Sequence, residues 1–336
     1  MIGWGVLGNA TIARLAVVPA IAHSSNGRIV TIGSRSLDRA KQLTDSLGGT
    51  PVSDYEAVLA DPAVQAVYIP LPNHLHKEWT LKALSAGKHV LVEKPFAMNS
   101  AEATEMVQAA KAQQLHLAEA FMWRHHPRSQ QIYQLVSSGK LGKIGSIRAA
   151  FTFPVQPNAQ NGRLFSAEMG GGSLWDVGSY GVSLARWMFG AEPVSVSAQA
   201  VWNEAGVDIN FVGSLAFECG GLAVVESGFQ SALQQTYSIL GDKTAVEFNQ
   251  HDAFIPKGNT AIFSLRPFDK ETGQEITVKN VDQYQLMVED FADVILGEKQ
   301  PRFSPEDSIR QMQVLDALKL AAQTGKAISL QQKGNL

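Results

Sequence analysis

The stretch Ile2-Gly3-Trp4-Gly5-Val6-Leu7-Gly8-Asn9-Ala10-Thr11-Ile12-Ala13 decides the fold. Its apolar run from 2 to 7 predicts a buried strand, and the residues from Gly8 turn at once into a helical stretch. Strand, tight turn and helix in this order form the dinucleotide fingerprint in reduced form, with Gly8, Ala10 and Ala13 in its three small-residue places. The first glycine permits the turn and the small third residue lets helix and strand pack closely. Amides at the helix start, from Asn9 to Ile12, are placed to hold a pyrophosphate. Ala10 departs from the pattern, because its methyl displaces the phosphates slightly or leaves room for a water between.

The second strand, Arg28 to Gly33, ends in Ser34-Arg35-Ser36, and Ser36 is placed to cap a helix from Leu37. A site for NAD sets a carboxylate near this strand end, against the ribose 2′-hydroxyl. Ser34 and Arg35 suit a 2′-phosphate instead. A charge-assisted hydrogen bond contributes about 1.5–3 kcal/mol, roughly a tenfold to hundredfold preference for NADP, and nearby Asp38 keeps NAD open. Pro19 is expected to end or kink the first helix.

A helix over 53–60, the strand Ala66–Pro70 and the turn Leu71-Pro72-Asn73-His74-Leu75-His76 come next. Alternating strands and helices with short connections predict a doubly wound parallel sheet. His74 and His76 lack neighbouring cysteines or carboxylates, so they read as turn and helix-start residues or as neighbours of ribose and nicotinamide; no metal is expected. A helix over 77–86 ends at Gly87. The strand Lys88-His89-Val90-Leu91-Val92 then delivers Glu93 and Lys94 and stops at Pro95. Lys94 therefore stands at a strand's carboxyl end, the edge where open parallel α/β sheets bind ligands. Ser100 is placed to cap a helix to about 113, and Leu115–Phe121 reads as the last strand of this part.

After Pro127 the pattern changes. A helix over 128–138 ends at Gly139, and period-2 segments follow at 144–155, 194–202, 211–218, 222–229 and 236–240, which predict a second, largely antiparallel sheet. Between the first two lies Gly170-Gly171-Gly172-Ser173-Leu174-Trp175-Asp176-Val177-Gly178-Ser179-Tyr180, where Asp176 and Tyr180 are four apart and share a face if helical. Ser304-Pro305-Glu306-Asp307 starts a helix to about 323 that is expected to pack back across the domain junction. The expected architecture is α/β: a Rossmann domain over 1–121, then an α+β domain over 122–330 with a large, mostly antiparallel open sheet.

The chain has 336 residues, 45% hydrophobic and 18% charged, which suits two cores and not a disordered chain. A net charge of -3 without a Lys/Arg-rich run argues against nucleic acid or an anionic membrane as partner. The single cysteine, Cys219, excludes an internal disulfide framework and fits a cytoplasmic setting. No basic n-region with a long apolar run opens the sequence, and no membrane-length run follows, so neither a leader nor a membrane span is expected.

The order of Gly8-Asn9-Ala10-Thr11-Ile12-Ala13, Pro72-Asn73 with His76, Glu93-Lys94-Pro95 and Glu119-Ala120-Phe121-Met122-Trp123-Arg124-His125-His126-Pro127 resembles the Gfo/Idh/MocA family of NAD(P)-dependent oxidoreductases. In detail it resembles the branch with dimeric dihydrodiol dehydrogenase, NADP-dependent xylose dehydrogenase and sugar ketoreductases. Asp176 and Tyr180 resemble the family's second signature, which often carries His in the place of Tyr180; that departure argues against a myo-inositol dehydrogenase.

The resemblance implies hydride transfer between NADP, or NAD, and a hydroxyl-bearing carbon of a sugar, polyol or cyclic trans-diol. Lys94, Tyr180 and Asp176 are the catalytic candidates: Lys94 on the reacting oxygen, Tyr180 as proton partner, Asp176 orienting substrate hydroxyls. The cofactor set comprises Gly8, Asn9, Ala10, Thr11, Ile12, Ser34, Arg35, Leu71, Pro72, Asn73, His76, Glu93, Lys94, Trp123 and Arg124. Arg163 and Phe153 are substrate candidates. A homodimer or homotetramer through the second sheet is also implied. Two alternatives stand beside this reading: a dinucleotide-binding sensor without turnover, and an enzyme that shuttles hydride between two sugars on tightly held NADP.

Overall fold

A computed structural model describes residues 1–158 and 161–330. Residues 159 and 160 lie outside the described residues, as do 331–336. The chain divides into two compact units, one of Met1–His125 with Asp282–Met312, the other of His126–Val281 with Gln313–Leu336.

In the first unit, β1 (Ile2–Leu7), β2 (Gly27–Gly33), β3 (Thr50–Val52), β4 (Ala66–Ile69), β5 (His89–Glu93) and β6 (Leu117–Ala120) form a parallel sheet in the order β3-β2-β1-β4-β5-β6. Every residue of β1 and β4 is buried, as expected of strands covered on both faces. The connecting helices are α1 (Val18–His23), α2 (Leu37–Leu47), α3 (Tyr55–Ala60), α4 (His76–Ser85) and α5 (Ser100–Ala112). Strand order reverses between β1 and β4, which puts the switch point, where open α/β sheets bind ligands, at their carboxyl ends beside Gly8 and Leu71.

Three local expectations are corrected. Pro19 does not end the first helix: a π-helical turn over Ala13–Val17 leads into α1, and Pro19 occupies the opening turn of α1, where a missing N–H costs least. The helix expected to be capped by Ser100 is capped by Asn99, whose side chain accepts the Glu102 amide at 2.9 Å. Ser36 precedes α2 as expected but its side chain makes no capping hydrogen bond.

In the second unit, α6 (Pro127–Ser137) precedes β7 (Ile144–Thr152), and α7 (Ser179–Phe189) precedes β8 (Ser195–Trp202). Then follow β9 (Asp208–Ala216), β10 (Leu222–Gly228), β11 (Gln234–Gly241), β12 (Thr244–Glu247), β13 (Thr260–Pro267), β14 (Gln274–Lys279) and β15 (Ile328–Ser329). These strands form one sheet in the order β14-β13-β12-β11-β7-β10-β9-β8-β15, antiparallel except where β10 runs parallel to β7. One face is covered by α7, which approaches so closely at Gly181 that an added methyl would come within 2.8 Å of Val225. The opposite face leaves Val201, Val212, Leu222 and Val224 exposed. Between β14 and β15 lie two helices, α8 (Gln283–Ile295) and α9 (Pro305–Thr324), the latter starting at the Ser304-Pro305 signal. Among the described residues no helix is long and apolar enough to cross a membrane, and no group of three or more His, Cys, Asp or Glu could hold a metal ion.

Candidate active site

Gly8 follows β1 with φ +118°, and a methyl there would lie 3.2 Å from Leu71 Cδ2, so glycine suits both the backbone and the space. Its amide donates to the Gly33 carbonyl at 2.8 Å, which ties the turn to β2. Asn9 cross-links this turn to α2: its Nδ2 donates to the Arg39 carbonyl at 2.5 Å, and Arg39 Nη2 reaches back to the Asn9 carbonyl at 3.4 Å. Ala10 and Ile12 are half-buried and Thr11 is exposed at the helix start.

At the end of β2, Ser34 is buried while Arg35 is exposed. Burial raises the pKa of the Tyr55 phenol, and the charges of Arg35 and then Arg39 offset part of that rise. Two guanidinium groups thus cluster beside the glycine turn, a setting that fits a phosphate-bearing dinucleotide.

The β5 end is more tightly held. Glu93 accepts the Tyr68 hydroxyl at 2.7 Å and the Lys94 amide at 3.3 Å, and burial, then the charge of Glu93, keeps the Tyr68 phenol well above its usual pKa. Lys94 is half-buried and joined to Pro95 by a cis peptide bond. Leu71 and Asn73 are buried and Pro72 half-buried. His76 and Trp123 have no exposed surface. Arg124, also buried, pairs with Asp307 at 2.7 Å and lies over the rings of Phe303 and Phe121.

In the second unit the glycine run has a steric cause. A methyl at Gly171 would stand 2.5 Å from the Leu164 carbonyl oxygen, and one at Gly172, φ +123°, 2.3 Å from Asp208 Oδ1. The helix expected at Asp176 begins as a π-helical turn, Leu174–Gly178, and becomes α7 only at Ser179. Asp176 and Tyr180 therefore do not sit on a simple α-helical face; π turns recur at functional sites. Arg163 Nη2 comes within 3.8 Å of Asp176 Oδ1. Tyr180 is buried edge-on to Phe151 and Phe254, with ring centroids 5.2 Å from each. Phe153 is half-buried and packs on Phe229 at 5.6 Å.

The strand end with its lysine, the glycine turn beside it and the antiparallel second sheet meet their counterparts in known proteins. Residues 2–121 match the model described as oxidoreductase family, NAD-binding Rossmann fold, and residues 129–247 match the Gfo/Idh/MocA C-terminal domain. The chain belongs to the Gfo/Idh/MocA family of oxidoreductases. A D-xylose 1-dehydrogenase (NADP+) from Haloferax volcanii is 34% identical over 97% of this chain and 99% of that protein. A 3-ketoreductase from Actinomadura kijaniata, crystallised with NADP and TDP-benzene, superimposes with a TM-score of 0.88 at 33% identity, covering 95% of this chain and 97% of the other. An aldose-aldose oxidoreductase from Caulobacter crescentus, complexed with glycerol, gives 0.89 at 26% identity over 98% of this chain and 99% of the other.

Some members of the candidate site escaped the sequence reading. Arg39 and Tyr55 stand beside the glycine turn only because α2 and α3 fold back onto it; the charge pattern of α2 was the one local signal. Asp208, which anchors the start of the Asp176 turn, sits in a strand with no motif around it.

Proposed function

We propose that this family member transfers hydride between NADP and a hydroxyl-bearing carbon of a sugar, sugar derivative or cyclic trans-diol. The observation that carries the proposal is the position of Lys94, at the carboxyl end of β5 in a sheet whose order reverses at β1 and β4. The Rossmann part, over 1–121, holds the dinucleotide through the turn Gly8–Ile12, the Leu71-Pro72-Asn73 turn and Glu93. Arg35, aided by Arg39, receives the 2′-phosphate. The NADP-bound 3-ketoreductase and the NADP-named xylose dehydrogenase support that preference.

When bound, the nicotinamide gives or takes the hydride; the chain supplies orientation and one proton. Lys94 serves the reacting oxygen through its ammonium, Tyr180 is its proton partner, and Asp176, with Arg163 near it, orients substrate hydroxyls from the 122–330 part. Phe153 contributes apolar surface for the sugar. The exposed sheet face of Val201, Val212 and Val224 joins subunits in a homodimer or homotetramer, and the enzyme works in the cytoplasm.

A screen of aldoses, keto-sugars and trans-dihydrodiols with NADP and NAD, followed by nicotinamide absorbance, tests the proposal. Lys94→Ala and Tyr180→Phe should each lower turnover by about 10²–10⁴-fold with NADP affinity nearly intact. Near-normal turnover in both variants contradicts these roles. The likeness to the aldose-aldose oxidoreductase favours one second reading, in which NADP stays bound and two sugars exchange hydride. Nicotinamide absorbance that co-purifies with the protein distinguishes it.

A further inference from the structure

The carbonyl of Pro95 and the amide of Phe96 belong to one peptide group, the second after Lys94. His76, in the first turn of α4, places Nδ1 2.9 Å from the Pro95 oxygen and Nε2 2.8 Å from the Leu71 oxygen. A doubly protonated ring donates to both carbonyls, and each single tautomer to one. On the other side, the Phe96 amide donates to Glu119 Oε1 at 3.1 Å, and the Ser308 hydroxyl donates to Glu119 Oε2 at 3.1 Å. His76 and Phe96 have no exposed surface.

With a proton on Nδ1, the negative end of the peptide meets an imidazole donor while its positive end meets the Glu119 carboxyl, in surroundings where such bonds reinforce one another. Glu119 is half-buried and borders a cavity of about 110 Å³ lined by Leu91, Leu117, Phe121, Phe291 and Phe303. No local sequence pattern links these groups, and none of them needs to touch a substrate to act.

We infer that His76 and Glu119 are positioning residues for Lys94, gripping the 95–96 peptide from its two sides, with His76 also tying it to the Leu71 turn. This rests on the proposed role of Lys94. The grip keeps the ammonium and the Leu71 turn in one register; in a positioned reaction a displacement of about 1 Å costs on the order of a hundredfold in rate.

Burial raises the Glu119 carboxyl to about 7, opposed first by the Arg124 charge and then by the Ser308 hydrogen bond, while Asp307 adds to the rise. His116, His125, Asp290 and Arg302 are the other titratable groups around the cavity. Turnover should therefore rise modestly with pH through the Glu119 ionisation, because the carboxylate is a stronger acceptor of the Phe96 amide than the neutral carboxyl, which still accepts it as a Gln side chain would.

Steady-state kinetics and NADP titration of the full chain test the inference. Glu119→Ala should lower kcat by roughly ten- to a hundredfold with NADP affinity unchanged, and Glu119→Gln, which keeps an acceptor, should recover most of it. Both should lack the pH limb near neutrality. His76→Ala should lower kcat and weaken NADP together. A Glu119→Ala enzyme with wild-type kcat overturns the inference, as does a Glu119→Gln enzyme that retains the limb; the latter still decides if the alanine variant fails to fold. Lys94→Ala separates the two layers: if it retains turnover the role of Lys94 falls, whereas if it is inactive and the His76 and Glu119 variants are normal, only the positioning falls.

Discussion

The carboxylate of Asp208 accepts the hydroxyl of Ser173 at 2.8 Å and so joins β9 to the turn that launches the Asp176 segment. The same carboxylate accepts the Leu174 amide at 2.7 Å. Asp208→Ala strands a buried N–H, at a cost of about 1–3 kcal/mol. Calorimetry should show a fall in Tm of about 2–4 °C per kcal/mol, together with lower kcat from a displaced Asp176. Gly172→Ala should be at least as damaging, because its methyl would meet Asp208 at 2.3 Å on a backbone with φ +123°.

Burial holds the Asp208 carboxyl up at about 6 and that of Glu119 at about 7. Each keeps its proton to higher pH in the folded chain than in the unfolded one, so its contribution to stability is complete below the ordinary carboxyl range near pH 4 and is lost as pH rises through those values. Urea midpoints compared at about pH 5 and about pH 8 should shift in favour of Glu119→Gln on going up, by as much as roughly 3 kcal/mol. A gap of equal size at both pH values contradicts this.

Arg35 and Arg39 are exposed beside the glycine turn. Replacing either by Ala should weaken NADP by about tenfold to a hundredfold and leave NAD nearly unchanged, since only the 2′-phosphate requires the charge. Fluorescence titration with the two dinucleotides measures the difference.

Val212 stands opposite Gln199 on one side and Glu226 on the other, on the exposed face of the second sheet. If that face joins subunits, Val212→Glu paired with Val224→Glu should convert the oligomer to monomer in light scattering, with the Tm of the isolated subunit little changed, because neither side chain is in the core. An unaltered mass places the interface elsewhere.

Much of the fold was legible because local patterns carry it. Strands buried on both faces appear as apolar runs, and half-covered ones alternate, so β1, β4, β5 and β7 to β11 could be read directly. β3 could not: three residues with Pro51 inside carry neither signal. Lys94 was legible because a strand end and a proline bracket it. Glu119 and Asp208 were not, since their partners Phe96 and Leu174 lie 23 and 34 residues away and share no period with them.

The sequence by itself determined the order of strand, turn and helix, the strand ends that carry Gly8 and Lys94, and the change to antiparallel strands after Pro127. These depend on periodicity and on the backbone limits of glycine and proline, which act within a few residues. Only the tertiary structure decided that His76 and Glu119 close on one peptide beside Lys94, and that Asp208 holds the start of the Asp176 turn. Such pairings follow from strand order and from the need to satisfy buried polar groups, and both are settled by the packing of the whole unit.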